Sequence, residues 1–238
     1  MERRRWEMLD WIVLATFLVV GLVLSFRPLQ DVDLGWHLAG GLWILNNLSV
    51  PQADPLSAGA RFWLCYSWLP EIVFALIYKA WGFRGLQAAQ VLSILSSVVF
   101  IYWYVRRMSL AAPSLDLRIR FSSRIAELLT FSVVLLLIAP VWHLRPQLLS
   151  VVLFGVMLVL AQERRLSLTV LLPLTIFWAN IHVYWIAVPL IAGVYLVFTP
   201  LVSRRPAEAV RGALLCLLLF FSGAATPYLF QIFPAVAE

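Results

Sequence analysis

Charge is what this chain has least of. Only 13% of its 238 residues are charged, and Lys79 is the sole lysine. A soluble domain carries about 25% charge, so the composition points away from a freely soluble globular protein. Cysteine is scarce too. Cys65 falls in a polar loop and Cys216 in an apolar run, which argues against a disulfide framework or a zinc site. There is no glycine-rich phosphate loop before a helix, no CxxC pair and no HExxH. Those absences set aside nucleotide-loop, thiol-redox and zincin chemistry. No polar stretch is long enough for a separate soluble domain. No small-residue cleavage site follows the first apolar run, which therefore reads as an anchor and not a removed signal peptide.

What is present is apolar surface. Hydrophobic residues make up 63% of the chain, against about 45–50% in soluble domains. The expected fold is an all-α polytopic membrane protein, a single transmembrane domain over 1–238. Apolar runs at 10–26, 86–105, 126–141, 148–161, 166–178, 183–202 and 209–225 predict seven spanning helices. Residues 27–85 form the first outer loop. Within it, 34–48 reads as an amphipathic helix, with Trp36, Gly40, Trp43 and Asn47 at three-to-four spacing. The run 68–81 contains Glu71 and Lys79 and gives only ~21 Å of helix at ~1.5 Å per residue. The hydrocarbon core is ~30 Å thick, so this run predicts a second interfacial or half-inserted helix.

The net charge of +6 comes from arginines clustered between apolar runs. That is the pattern of loops facing anionic lipid rather than nucleic acid. With 68–81 not spanning, 13 cations fall on the cytoplasmic side and five outside. If that run crossed, the balance would reverse to six inside and 12 outside. The positive-inside rule therefore places the N-terminus in the cytoplasm and the C-terminus outside.

This topology gathers the polar clusters on the outer face. Asp31 and Asp33 follow the first apolar run, and a carboxylate near a bilayer is costly unless it has work to do. Asp33 equally suits an acidic helix N-terminus. His37 lies four residues on, on the same helix face, where it can orient Asp33, bind phosphate, help a metal, or simply sit at the membrane interface. Glu71 reads as a second acid, a metal ligand, or an interfacial ion-pair partner of Arg61 or Arg84. Arg145, within His143-Leu-Arg145-Pro-Gln147, is well made to grip a phosphate with two nitrogens. Asn180 and His182 after Trp178 can hydrogen-bond a sugar or phosphate, or simply end a helix. Tyr228 reads as a belt aromatic or a ligand contact.

The order of these pieces resembles the GT-C superfamily of polytopic glycosyltransferases, which includes protein mannosyltransferases and aminoarabinose transferases. The likeness is to a bacterial group reading D-x-D-L-W-W-H, P-x-x-D-P, W-L-x-E, R-P-Q-L, W-x-N-x-H-G and N-P-Y-G. The matching stretches are Asp31-Val-Asp33-Leu-Gly-Trp-His37 with Gly41 and Ile44, Pro51-Gln-Ala-Asp54-Pro55, Trp68-Leu-Pro-Glu71, Arg145-Pro-Gln-Leu148, Trp178-Ala-Asn-Ile-His182 and Pro227-Tyr228. Gly35, Val183, Thr226 and Leu229 depart from the pattern, and family members continue beyond this length.

The resemblance implies seven spanning and two juxtamembrane helices, in a bacterial cytoplasmic membrane. It implies transfer of a sugar from a polyprenyl-phosphate donor to an outer-face acceptor, with inversion. Asp33, with Asp31, would be the catalytic carboxylate. Arg145, with His143, His182 and Asn180, would hold the donor phosphate. His37, Glu71, Trp68 and Tyr228 would meet acceptor or sugar. Asp31 and Glu71 would be candidate ligands for a divalent metal, Mg or Mn. The alternative function is a catalytically silent subunit that scaffolds a larger membrane complex with other membrane subunits.

Overall fold

The computed structural model describes residues 2–29, 31–54, 64–111, 128–129, 131–133, 137 and 142–233. Among these the secondary structure is helical, with no extended strand. In order the helices are α1 (Glu2–Ser25), α2 (Val32–Asn47), α3 (Trp68–Ala111), α4 (Pro146–Gln162), α5 (Leu168–Ala179), α6 (Val183–Val202) and α7 (Pro206–Ser222). Two helices are long and apolar enough to cross a bilayer, Trp68–Tyr104 and Val183–Val202. The apolar segments Trp11–Ser25, Pro146–Gln162 and Leu168–Ala179 are shorter. The helix expected over 126–141 lies largely outside the described residues, as do Pro55 and Arg61.

Within the span read as one domain, the chain forms two compact units. The first is Met1–Gln30 with Leu86–Leu144, and the second Asp31–Gly85 with Arg145–Glu238. In the first, the carboxamide of buried Gln90 is the polar tie. Its Nε2 donates to the carbonyls of Ser25 and Arg27 at 3.0 and 3.2 Å, and its Oε1 accepts from the Leu144 N–H at 3.2 Å. A buried amide is tolerated because both of its ends find partners.

The second unit has its core in α4–α7. Met157, Leu171, Trp178, Trp185, Val188 and Leu219 are fully buried. Trp178 can be buried there because its indole N–H donates to Ser150 Oγ at 2.9 Å. In α6 the turn Val194–Phe198 is a π-turn just before Pro200. Proline supplies no N–H to the carbonyl four residues back, which is that of Leu196. Gly212 of α7 fits against this carbonyl, where an added Cβ would come within 2.0 Å of the oxygen.

The pair expected at the interface, α2 and the start of α3, packs differently from the expected stripe. α2 buries Leu34, Gly40, Gly41 and Ile44, while Trp36 is 42% exposed and Asn47 is on the surface. Glycine sets the choice. A Cβ at Gly41 would lie 2.0 Å from the Glu71 carbonyl oxygen, so only a glycine face lets α2 press on the first turn of α3. Spacing alone could not separate this face from the neighbouring one, because both repeat every three to four residues. The break expected after residue 81 is present. Gly82 has φ 59° and ψ −152°, a region essentially reserved for glycine.

Candidate functional site

The site builds from two helix starts in the second unit. Asp31 caps α2, its Oδ1 accepting from the Asp33 N–H at 3.1 Å, as short carboxylates do at helix N-termini. Arg145 precedes α4, whose first residue is Pro146, a position that tolerates a missing N–H. The Arg145 side chain reaches back across 114 residues of sequence and grips Asp31 with two nitrogens. Nε meets Oδ2, and Nη2 donates to Oδ1 at 2.6 Å. Its third nitrogen, Nη1, lies 2.9 Å from Asp33 Oδ2. The Asp31 side chain is 4% exposed and that of Asp33 51%. Asp31 therefore anchors the guanidinium, and Asp33 remains open. The hydrogen bond that Arg145 donates to Asp31, with the charge of both carboxylates, raises the Arg145 pKa against the opposing effect of burial.

Glu71 forms a second centre. It is buried, and each carboxylate oxygen has a partner. Oε1 lies 2.9 Å from His37 Nδ1, and Oε2 accepts from the Cys65 thiol at 2.7 Å. Burial, then the Glu71 charge and hydrogen bond, push the Cys65 pKa well up, so the thiol stays protonated and donates. Among the described residues Glu71 pairs with His37 and Cys65 rather than Arg84; Arg61, the other expected partner, lies outside the described residues.

His182 is buried, with its ring against Tyr66 and Tyr184 at centroid distances of 5.6 and 4.3 Å. Its Nδ1 accepts from the Tyr184 N–H at 3.4 Å. Burial, and secondarily the nearby His37, lower its pKa to about 4.

Three other expected contacts turn out to be structural ties. Asn180 Oδ1 accepts from the Trp68 indole at 2.9 Å, and its Nδ2 donates to the carbonyls of Ile176 and Ala225. The polar atoms that Asn180 and Trp68 would offer a ligand are thus spent on each other and on the backbone. Tyr228 is buried, not exposed as a belt aromatic would be. Its hydroxyl donates to the Pro51 carbonyl at 2.7 Å and accepts from the Cys65 N–H at 2.9 Å. His143 belongs to the first unit, where its Nδ1 is buried without a hydrogen-bond partner.

Asp33, His37 and Glu71 line a cavity of about 230 Å³, together with Trp36, Leu64, Cys65, Tyr66, Ser67 and Gln147. Among the described residues, no group of three or more His, Cys, Asp or Glu side chains is arranged to hold a metal ion. Asp31 is already held by a guanidinium, and both Glu71 oxygens are taken by neighbours. The two residues expected as metal ligands do not form one donor set.

Sequence reading did not single out Cys65, Tyr66, Ser67 or Gln147. The signal for Gln147 was its place in the Arg145-Pro-Gln147 stretch, and the other three immediately precede Trp68. Ser67 Oγ and Gln147 Oε1 are both buried without a partner, in residues that line the cavity. Gly35, a departure from the motif pattern, has nothing within 4 Å of its Cβ position, so that change leaves the packing untouched. No protein-family model, no curated protein and no solved structure matches this chain.

Proposed function

We propose that this chain is a polytopic membrane glycosyltransferase of the GT-C type in a bacterial cytoplasmic membrane. It moves a sugar from a polyprenyl-phosphate donor to an acceptor at the outer face, with inversion. One observation carries the reading. Asp31, Asp33 and Arg145, singled out separately in the sequence, meet in one ion cluster across 114 residues, and Asp33 also faces the cavity. The orphan polar atoms of Ser67 and Gln147 suit a hydroxyl-rich ligand. The volume, below the ~300–1,000 Å³ of larger ligand sites, suits one ring rather than a chain. Exposed Trp11, Val23, Leu92, Leu190, Phe198, Leu214 and Phe221 suit contact with lipid.

In this reading Asp33 takes the proton of the acceptor hydroxyl. The freed oxygen attacks the anomeric carbon from the face opposite the phosphate. The bond from that carbon to the phosphate oxygen breaks, and its electron pair leaves with the phosphate. Arg145, held in place by Asp31, meets the charge that develops there. No step passes through a metal. An Asp33→Asn variant, expressed in the native membrane, is expected to lose at least 10²-fold in transfer while reaching normal abundance. Unchanged transfer would overturn the enzyme. It would favour the silent scaffold instead, a reading supported by the pairing of Asp33 with Arg145.

A further inference from the structure

The mechanism above leaves Glu71 and His37 without a part. Yet Glu71 is a carboxylate at 1% exposure, and burying such a group is costly unless it is fully hydrogen-bonded. Here it is. The Cys65 thiol donates to Oε2, so Oε2 is an acceptor. With Glu71 as the carboxylate, which only accepts, His37 Nδ1 at 2.9 Å from Oε1 holds the ring proton toward Glu71 and leaves a lone pair on Nε2. The packing locks the arrangement, because Gly41, one turn beyond His37, lies directly against the Glu71 backbone. The His37 ring lines the cavity with 16% of its side chain exposed. Asp33 lies one turn before His37 on α2 and lines the same cavity, on the same helix face. His182 has the opposite tautomer, since its Nδ1 accepts from a backbone N–H, and it acts as a donor or not at all.

We propose that His37, oriented by Glu71, is the proton-accepting residue that completes transfer, receiving on Nε2 the proton that Asp33 takes from the acceptor. This rests on the transferase reading and adds a second proton-handling group to it. A protonated Asp33 loses its charge toward Arg145. Handing the proton to Nε2 restores the carboxylate and its pairing with Nη1. The imidazolium so formed directs its Nδ1–H at the buried Glu71 carboxylate, as a carboxylate-backed histidine does in acyl-transfer triads. The proton then leaves His37 to solvent through the cavity mouth. Glu71 is a positioning residue, and Cys65 holds it from the other side.

The test has two arms, on the full chain in lipid nanodiscs. Nitrogen-15 spectra of histidine-labelled protein at pH 8, assigned with His37→Gln and His182→Gln, are expected to show His37 as the Nδ1–H tautomer and His182 as Nε2–H. In Glu71→Gln the His37 signal is expected to shift toward the common Nε2–H form. In the second arm, sugar transfer from a synthetic polyprenyl-phosphate sugar is followed. His37→Gln is expected to lower kcat about 10²-fold with KM for the donor within a factor of two. An Nε2–H tautomer at His37 in the unmodified chain would overturn the proposal. So would full kcat in His37→Gln beside an active unmodified chain, and that result would leave the transferase reading intact. An unmodified chain with no transfer but the expected tautomers would sink the transferase reading and keep the Glu71–His37 geometry.

Discussion

At the scale of single residues, the fold rests on buried carboxylates that find partners where they lie, Asp31 with Arg145 and Glu71 with His37 and Cys65. The Arg145 contact is the most demanding of these. Removing the guanidinium takes both of its hydrogen bonds away from buried Asp31. Arg145→Ala is expected to lower stability by about 3 kcal/mol, read as a fall in the thermal unfolding midpoint in detergent. Arg145→Lys is expected to recover less than half of that, because an ammonium cannot span both Asp31 oxygens and Asp33 together. His182 gives a pH signature. Folded, it stays neutral down to about pH 4 because burial and His37 oppose its charge. Unfolded, it takes a proton near pH 6.5. Between those values the unfolded chain binds more protons, so stability falls as pH drops from about 6.5 to about 4 and is level above that window. Unfolding midpoints measured from pH 8 to pH 4.5 should show the fall, and His182→Gln should flatten it.

At the scale of elements, the decisive contact is α2 against the start of α3. It exists because Gly41 has no side chain where the Glu71 carbonyl sits. Gly41→Val is expected to push the helices apart, to separate His37 from Glu71, and to lower the unfolding midpoint by several degrees. Gly35→Ala is the matched control. Its Cβ position is open, and replacing a helical glycine with alanine stabilises by about 0.5–1 kcal/mol. If Gly35→Ala and Gly41→Val were equally tolerated in the same melting experiment, the close approach would not hold the site.

At the scale of the whole molecule, the question is how the helices meet a membrane. Two of them are long and apolar enough to cross, and large apolar side chains are exposed along most of the described helices. The chain is expected to remain with the membrane fraction after alkaline carbonate washing. A reporter fused after Arg84 is expected to signal from the non-cytoplasmic side. A cytoplasmic signal would mean that Trp68–Trp81 crosses, which would put Arg145 on the cytoplasmic face, opposite Asp33, and the site would fall with it.

The sequence by itself determined what depends on neighbours along the chain. Apolar runs made helices. Asp33 marked an acidic helix start and Pro146 a second helix start, because propensity and capping act within one or two turns. It also marked Asp31, Asp33 and Arg145 as unlikely to be idle, and left Glu71 and His37 open between a site and an ordinary interfacial place. Only the tertiary structure decided what they touch. Arg145 meets Asp31 from 114 residues away, and Glu71 meets His37 and Cys65. The same packing made Tyr228 and Asn180 into ties rather than ligand contacts. Such choices depend on which surfaces approach closely enough to exclude water. That approach was set by features with no local signature, above all the missing side chain at Gly41.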